Sequence, residues 1–223
     1  GSMGPVTGLS FRGRPDLIYA DGAGQSALFL SFYSAVTGDA EAAALARSQL
    51  TGFLAGGMDA GSGLPYHGYD LADGVKQGII GWGRACGWLM MGFSSYVSYV
   101  QGDEQMDQAF VRLTEAVLRW QRPDGLLAWQ LEAVEGHGDT SATAMVFWAI
   151  GLAMKHRPQL LEETRARQCA DLAEQGLRSW VRDGRIYESS GECIDFAMYP
   201  QNFGNNAWGQ GAALAFLALR QEN

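Results

Sequence analysis

A repeat constrains this chain more than any other feature. Gly63-Leu64, Gly125-Leu126 and Gly184-Arg185-Ile186 recur at a spacing of about 60 residues, each after an amphipathic helical stretch and a short polar turn. A few extended residues come next: Pro65-Tyr66-His67, Leu127-Ala128-Trp129 and Tyr187-Glu188. A polar loop follows, and then an apolar helix rich in small residues. One unit therefore reads helix, turn, loop, helix. Such a pair cannot bury both of its faces alone, so it must stack on neighbouring pairs. The scarce polar residues are placed unevenly. Asp21, Arg84, Asp139 to Ser141 and Asn205 to Trp208 all fall just before, or at the start of, one apolar helix per unit. If those helices pack side by side in one sense, their N-termini open on a single bowl.

Periodicity fills in the elements. An irregular arm rich in Gly and Pro is expected over 1–15, with Gly1-Ser2-Met3 reading as a tag-cleavage scar, and one domain over 16–223. Inner helices are expected at about 22–36, 83–100, 140–155 and 207–220, and outer ones at about 40–55, 104–120 and 159–181, seven in all. Thr37-Gly38-Asp39 and Gln101-Gly102-Asp103 punctuate the hairpins as stop-and-cap signals. The stretch from Gly56 to Gly81 is too long for an ordinary helix connection and is a candidate functional loop.

Composition excludes several classes of partner. Of 223 residues 47% are apolar, enough for one sizeable core, and the net charge is −8 with no Lys/Arg stripe, so nucleic acid is not an expected partner. No apolar run reaches membrane-spanning length, and no signal peptide is visible. Cys86, Cys169 and Cys193 form an odd set without metal spacing and read as reduced thiols of a cytoplasmic protein. No metal signature, phosphate loop or Ser-His-Asp arrangement is present, and no metal or cofactor is expected.

Each candidate motif has an ordinary and a functional reading. Asp21, after Tyr19-Ala20, reads on its own as a helix N-cap, the commoner use of aspartate there; the alternative is a general acid at the bowl mouth. In Trp82-Gly83-Arg84-Ala85-Cys86-Gly87-Trp88, Arg84 and Trp88 share one helix face. A guanidinium entering an apolar helix needs a partner: a structural carboxylate such as Asp21 or Asp70, or a ligand carboxylate or sugar hydroxyl. Indole faces suit pyranose C–H faces, which brings in Trp82 and Trp88. His67, flanked by Tyr66, Tyr69 and Asp70, reads as part of a pocket lid. Asp139-Thr140-Ser141 reads as a cap, Asn205-Asn206 as a turn ahead of Trp208, and His137 and His156 as incidental.

Together these residues resemble the unsaturated glucuronyl and rhamnogalacturonyl hydrolases, glycoside hydrolase families 88 and 105. The matching run is Asp21-Gly22, Thr37-Gly38-Asp39, Gly63-Leu64, His67-Gly68-Tyr69-Asp70, the Trp82 to Trp88 element, Asp124-Gly125-Leu126 with Trp129-Gln130, and Asp139-Thr140-Ser141-Ala142-Thr143-Ala144. The resemblance implies an (α/α)6 toroid of helical hairpins, here incomplete. It also implies hydration of the C4=C5 bond of a 4,5-unsaturated uronic acid at the non-reducing end of an oligosaccharide or polysaccharide. By the same resemblance Asp21 is the acid, His67, Arg84 and Trp88 contact substrate, and Tyr19 sits where an aromatic often precedes the acid; Tyr19, Asp70, Trp82 and Trp208 complete the candidate substrate-binding set. Cys86 stands where the family usually has Asn. The chain starts just before what resembles the third hairpin's inner helix, so a second family aspartate would lie upstream. These two departures favour an alternative, a toroid-derived polysaccharide biosynthesis or binding protein without hydrolase activity. Apolar faces left at the first and last helices are expected to be covered by a second copy of the chain, by the 1–15 arm or by a missing N-terminal segment.

Overall fold

The small-residue helices and the amphipathic helices separate into two layers. The computed structural model describes residues 16–221, so the 1–15 arm lies outside the described residues. Seven α-helices are present among them: α1 (Ala20–Thr37), α2 (Ala40–Gly56), α3 (Gly83–Tyr99), α4 (Glu104–Leu118), α5 (Thr140–His156), α6 (Glu163–Arg178) and α7 (Ala207–Gln221). The inner helices α1, α3, α5 and α7 pack side by side in that order, and α2, α4 and α6 each lie behind the inner helix they follow. This is the expected incomplete toroid: α1 and α7 do not pack as neighbours, and the arc stays open.

Sequence explains the layering. The helix α3 is buried along nearly its whole length and α5 along most of its own, as all-round apolar sequences require. By contrast, α4 buries one stripe, including Met106, Phe110, Leu113 and Val117, and keeps charge on the other side. Each such side chain contributes roughly 2 kcal/mol by leaving water. The outer helices carry side-chain caps: Asp39 accepts from the Glu41 and Ala42 N–H groups, Asp103 from Met106, and Glu162 from Thr164 and Arg165.

Close approaches show that the inner helices run parallel and in register. A Cβ on Gly24 of α1 would strike the Trp88 carbonyl of α3; one on Gly87 of α3 would meet Met145 of α5; one on Gly151 of α5 would meet Leu219 of α7. All four N-termini therefore open on one end of the arc.

That end carries short strands where loops were expected. The 56–81 stretch is an antiparallel hairpin, β2 (Tyr66–Asp70) and β3 (Lys76–Ile80), and β1 (Leu17–Tyr19) pairs with β2 to give the order β1-β2-β3. The later units have only two-residue pairs: β4 (Leu127–Ala128) with β5 (Gly138–Asp139), β6 (Val181–Arg182) with β7 (Arg185–Ile186), and β8 (Ser189–Ser190) with β9 (Phe203–Gly204). The repeat itself has a backbone cause. Gly63, Gly125 and Gly184 have φ of +74°, +85° and +72°, a left-handed region that side chains disfavour, and each turns the chain from an outer helix towards the mouth.

Candidate functional site

A cavity of about 300 Å³ sits at the mouth. The start of α1 and the residue before it supply Tyr19, Asp21, Gly22 and Gln25; β2 supplies His67; the start of α3 supplies Trp82, Arg84 and Trp88; α7 supplies Trp208. The remaining wall is Glu192, Cys193 and Asp195, from the segment between β8 and β9. The structure thus gathers seven of the eight sequence candidates. Asp70 is the exception: it does not line the cavity, and its carboxylate accepts from the Ala72 N–H at the turn that begins the β2–β3 connection.

Asp21 is not a helix cap. The helix starts at Ala20, and Tyr19 occupies the N-cap position with no side-chain hydrogen bond, which leaves Asp21 inside the first turn. Its side chain reaches the cavity instead. Asp21 Oδ2 lies 3.3 Å from His67 Nε2, off the line of a hydrogen bond, and this buried oxygen has no hydrogen-bond partner. Such a carboxylate oxygen is costly to bury and commonly marks a functional role. His67 is itself buried, with its ring against Trp82, Tyr19 and Phe196.

Arg84 departs from expectation. It pairs with neither Asp21 nor Asp70. Its Nη1 donates to the Ser190 carbonyl at 2.6 Å and its Nη2 to the Gly191 carbonyl at 2.7 Å. The guanidinium lies over the Trp82 ring at 4.5 Å and the Trp208 ring at 5.0 Å. Trp208 Nε1 donates to the same Ser190 carbonyl. Carbonyl dipoles and indole faces satisfy the fork but do not neutralise it, so a positive charge is held 5% exposed beside the cavity. Trp88 is half-buried on the wall and has no ring or cation stacked on it among the described residues, so its indole is the one left for a ligand.

Several neighbours were not legible beforehand. Tyr19 OH donates to Asp195 Oδ1 at 2.8 Å, and its ring stacks on Phe196 at 4.3 Å. Tyr199 OH lies 2.8 Å from His67 Nδ1. Burial pushes the Tyr199 phenol well above its ordinary range, helped by the Cys193, Asp21 and Asp195 side chains. Burial also pushes the Cys193 thiol up to about 11, with the Asp21 charge adding to it and Arg84 opposing, so this thiol is uncharged near neutrality. The segment from 191 to 202 offers no periodicity, and only Glu-Cys-Ile-Asp-Phe, a cluster of acid, thiol and aromatic, hinted at a site.

Two expectations resolve as structure. Asp139 is the α5 cap, accepting from the Ser141 N–H and hydroxyl and from the Ser190 N–H. The Asn205 and Asn206 amides donate to the Ile186 and Ser189 carbonyls. Cys86 faces the hydrophobic core, fully buried, and does not line the cavity.

Inner helices that all begin at one mouth, with an unpartnered carboxylate oxygen and a guanidinium held by carbonyls and indoles there, define an incomplete toroid of helical hairpins with a polar site at its open end. The profile described as Glycosyl Hydrolase Family 88 matches residues 15–221, and the chain belongs to that family. Among solved structures, it is similar to a possible member of glycoside hydrolase family 105 from Klebsiella pneumoniae (20% identity, TM-score 0.83, 93% of this chain and 57% of that one). It is also similar to an unsaturated glucuronyl hydrolase responsible for glycosaminoglycan degradation from Bacillus sp. GL1 (20%, TM-score 0.75, 99% and 62%). A third is a family 88 glycosyl hydrolase from Bacteroides vulgatus (19%, TM-score 0.73, 92% and 62%). At these identities the likeness is one of fold. The chain spans 57% to 66% of the length of such relatives. A search of curated proteins gives no match. No helix among the described residues is long and apolar enough to cross a membrane.

Proposed function

We propose that this protein hydrates the C4=C5 double bond of a 4,5-unsaturated uronic acid at the non-reducing end of an oligosaccharide, with Asp21 as the proton donor. The observation that carries the reading is the Asp21 carboxylate: buried at one oxygen, unused for capping, and facing the cavity beside His67. Arg84 supplies the charge complement for the uronic carboxylate, and Trp88 an indole for the sugar ring.

The chemistry needs one acid. Asp21, protonated, gives its proton to C4 of the vinyl ether, and C5 becomes oxocarbenium-like. The resulting carboxylate accepts a proton from the water that attacks C5. The product hemiketal opens and releases the next sugar. This is general acid and then general base catalysis by one group, unlike the paired-carboxylate displacement of most glycosidases.

Tyr19, Trp82 and Trp208 shape the site, and Asp70 supports the hairpin that carries His67. A cytoplasmic location belongs to the same reading, as Cys86, Cys169 and Cys193 are all free thiols. So does one helical domain, with a second copy of the chain covering the apolar face of α1.

The test follows the enol-ether ultraviolet absorbance of unsaturated disaccharides made from pectin and from glycosaminoglycans. Absorbance should fall with wild type. Asp21→Asn should reduce the rate by at least about 10²-fold, because an amide cannot deliver the proton. Stability should change by less than about 1 kcal/mol, since Oδ2 makes no hydrogen bond to lose. Unchanged absorbance across the whole panel would replace the hydrolase reading with that of a polysaccharide-binding or biosynthetic protein.

A further inference from the structure

His67 has one polar neighbour at each ring nitrogen, and these fix its state. At Nδ1 the neighbour is Tyr199 OH, 2.8 Å away; at Nε2 it is Asp21 Oδ2, 3.3 Å away. The Tyr199 oxygen also accepts a hydrogen bond from the Ile79 backbone N–H at 3.4 Å. With one donor already pointing at that oxygen, its own proton is free for an acceptor, and Nδ1 is the acceptor within reach. In the opposite assignment Nδ1–H would point at the phenol. The hydroxyl would then receive two donors while its own proton had no acceptor. The first arrangement gives the phenol proton an acceptor and leaves Nε2–H on the side of Asp21.

We infer that Tyr199 is a positioning residue that locks His67 in the Nε2–H tautomer, so that a protonated nitrogen rather than a lone pair lies 3.3 Å from Asp21 Oδ2. The inference deepens the hydrolase reading and takes the role of Asp21 from it. In the other tautomer the Nε2 lone pair would face the carboxylate oxygen and repel it. With Nε2–H in place, the carboxylate formed when Asp21 gives up its proton is stabilised, and the same oxygen is held in place to receive the proton of the attacking water.

The surroundings are built to hold this contact. Gly78 has φ of +75°, and a Cβ there would lie 2.3 Å from the Tyr199 oxygen and 2.7 Å from His67 Cβ, so only glycine lets β3 pass behind the pair. Phe196, three residues before Tyr199, packs on both Tyr19 and His67. Burial keeps the phenol protonated, as a donor must be.

The experiment is a long-range proton–nitrogen spectrum of the protein labelled with ¹⁵N-histidine, at about pH 8, where free imidazole is neutral. The chain has only three histidines, so His67→Gln assigns the signals. Wild type should show the Nε2–H pattern for His67, and Tyr199→Phe should convert it to Nδ1–H or to a mixture. Met198→Ala, on the exposed side of the same segment, should leave it unchanged. In turnover, Tyr199→Phe should lower kcat about tenfold or more with KM within about threefold.

A wild-type Nδ1–H pattern overturns the inference, and so does a Tyr199→Phe spectrum identical to wild type. The wild-type spectrum alone decides if the Phe variant does not fold. If no unsaturated uronide is turned over but both spectra behave as expected, the positioning of His67 by Tyr199 stands and the hydrolase reading falls. Turnover with the wrong tautomer gives the converse.

Discussion

At the scale of single residues, the site depends on what each charged group lacks. Arg84 has two carbonyls and two indoles around it and, among the described residues, no carboxylate paired with it. Arg84→Lys separates charge from shape. A lysine keeps the charge but can neither span both carbonyls with a planar fork nor stack between the rings. KM for an unsaturated uronide should rise about tenfold or more, with kcat reduced less, when initial rates are measured over a range of substrate concentrations. Equal KM for the two forms would mean that Arg84 does not meet the substrate. The sequence revealed Arg84 and Trp88 because they sit four apart at the start of an apolar helix, where a cation needs an explanation. It did not reveal Tyr199 or Asp195, which reach the cavity through an irregular segment far from their partners in sequence. It misplaced Asp70, because Asp70 stands three positions after His67 on one strand, and alternation turns side chains at odd spacing to opposite faces.

At the scale of elements, the contact between α1 and α3 is set by absent side chains. A Cβ at Gly24 would lie 2.2 Å from the Trp88 carbonyl oxygen and 2.8 Å from the Leu89 nitrogen, both backbone atoms that cannot rotate away. Gly24→Ala must therefore push the helices apart. The expected loss is about 1–3 kcal/mol or more, against a helix-propensity gain of up to about 1 kcal/mol. Gly211→Ala is the matched control: it lies in α7, exposed, with nothing within 4 Å of its Cβ position, and should leave stability unchanged or raise it by up to about 1 kcal/mol. Urea unfolding followed by helical signal measures both, and a neutral Gly24→Ala would refute the close-packing account. The alternation of apolar and amphipathic helices was legible because burial on all sides and burial on one side leave different periodicities. The short strands were not, because two-residue pairs carry no alternation to read; their positions were marked only by the Gly-Leu turn and a few extended residues.

At the scale of the whole molecule, the open arc leaves one face of the inner helix α1 exposed. On α1, Phe29 is 63% exposed and Val36 68%, with Phe32 and Tyr33 between them also exposed. Phe29 stacks on Tyr33, Phe32 meets Tyr99 edge-on, and the spacing 29, 32, 33 and 36 puts the four on one face of α1 as an apolar strip. At the far end Leu214 of α7 is exposed, but it has no comparable companions among the described residues. The asymmetry favours a face that matches itself, α1 against α1 of a second copy, because a two-fold interface uses the same strip twice. Each aromatic buried there contributes about 1.5–3 kcal/mol, enough for association at micromolar concentration if most of the strip is covered. Charge opposes it: each chain carries a net −8, so two copies repel at low ionic strength. Dimerisation should therefore strengthen as salt rises from about 0.02 M to about 0.3 M, where screening falls within a few ångströms while apolar burial persists. Sedimentation velocity should show a concentration-dependent dimer that Phe32→Glu converts to monomer without loss of helical signal. A monomer at every concentration and salt, with no binding of an apolar dye, would show that the strip is not an interface between copies. Weaker association with added salt would show that charge pairing, rather than this face, joins the chains.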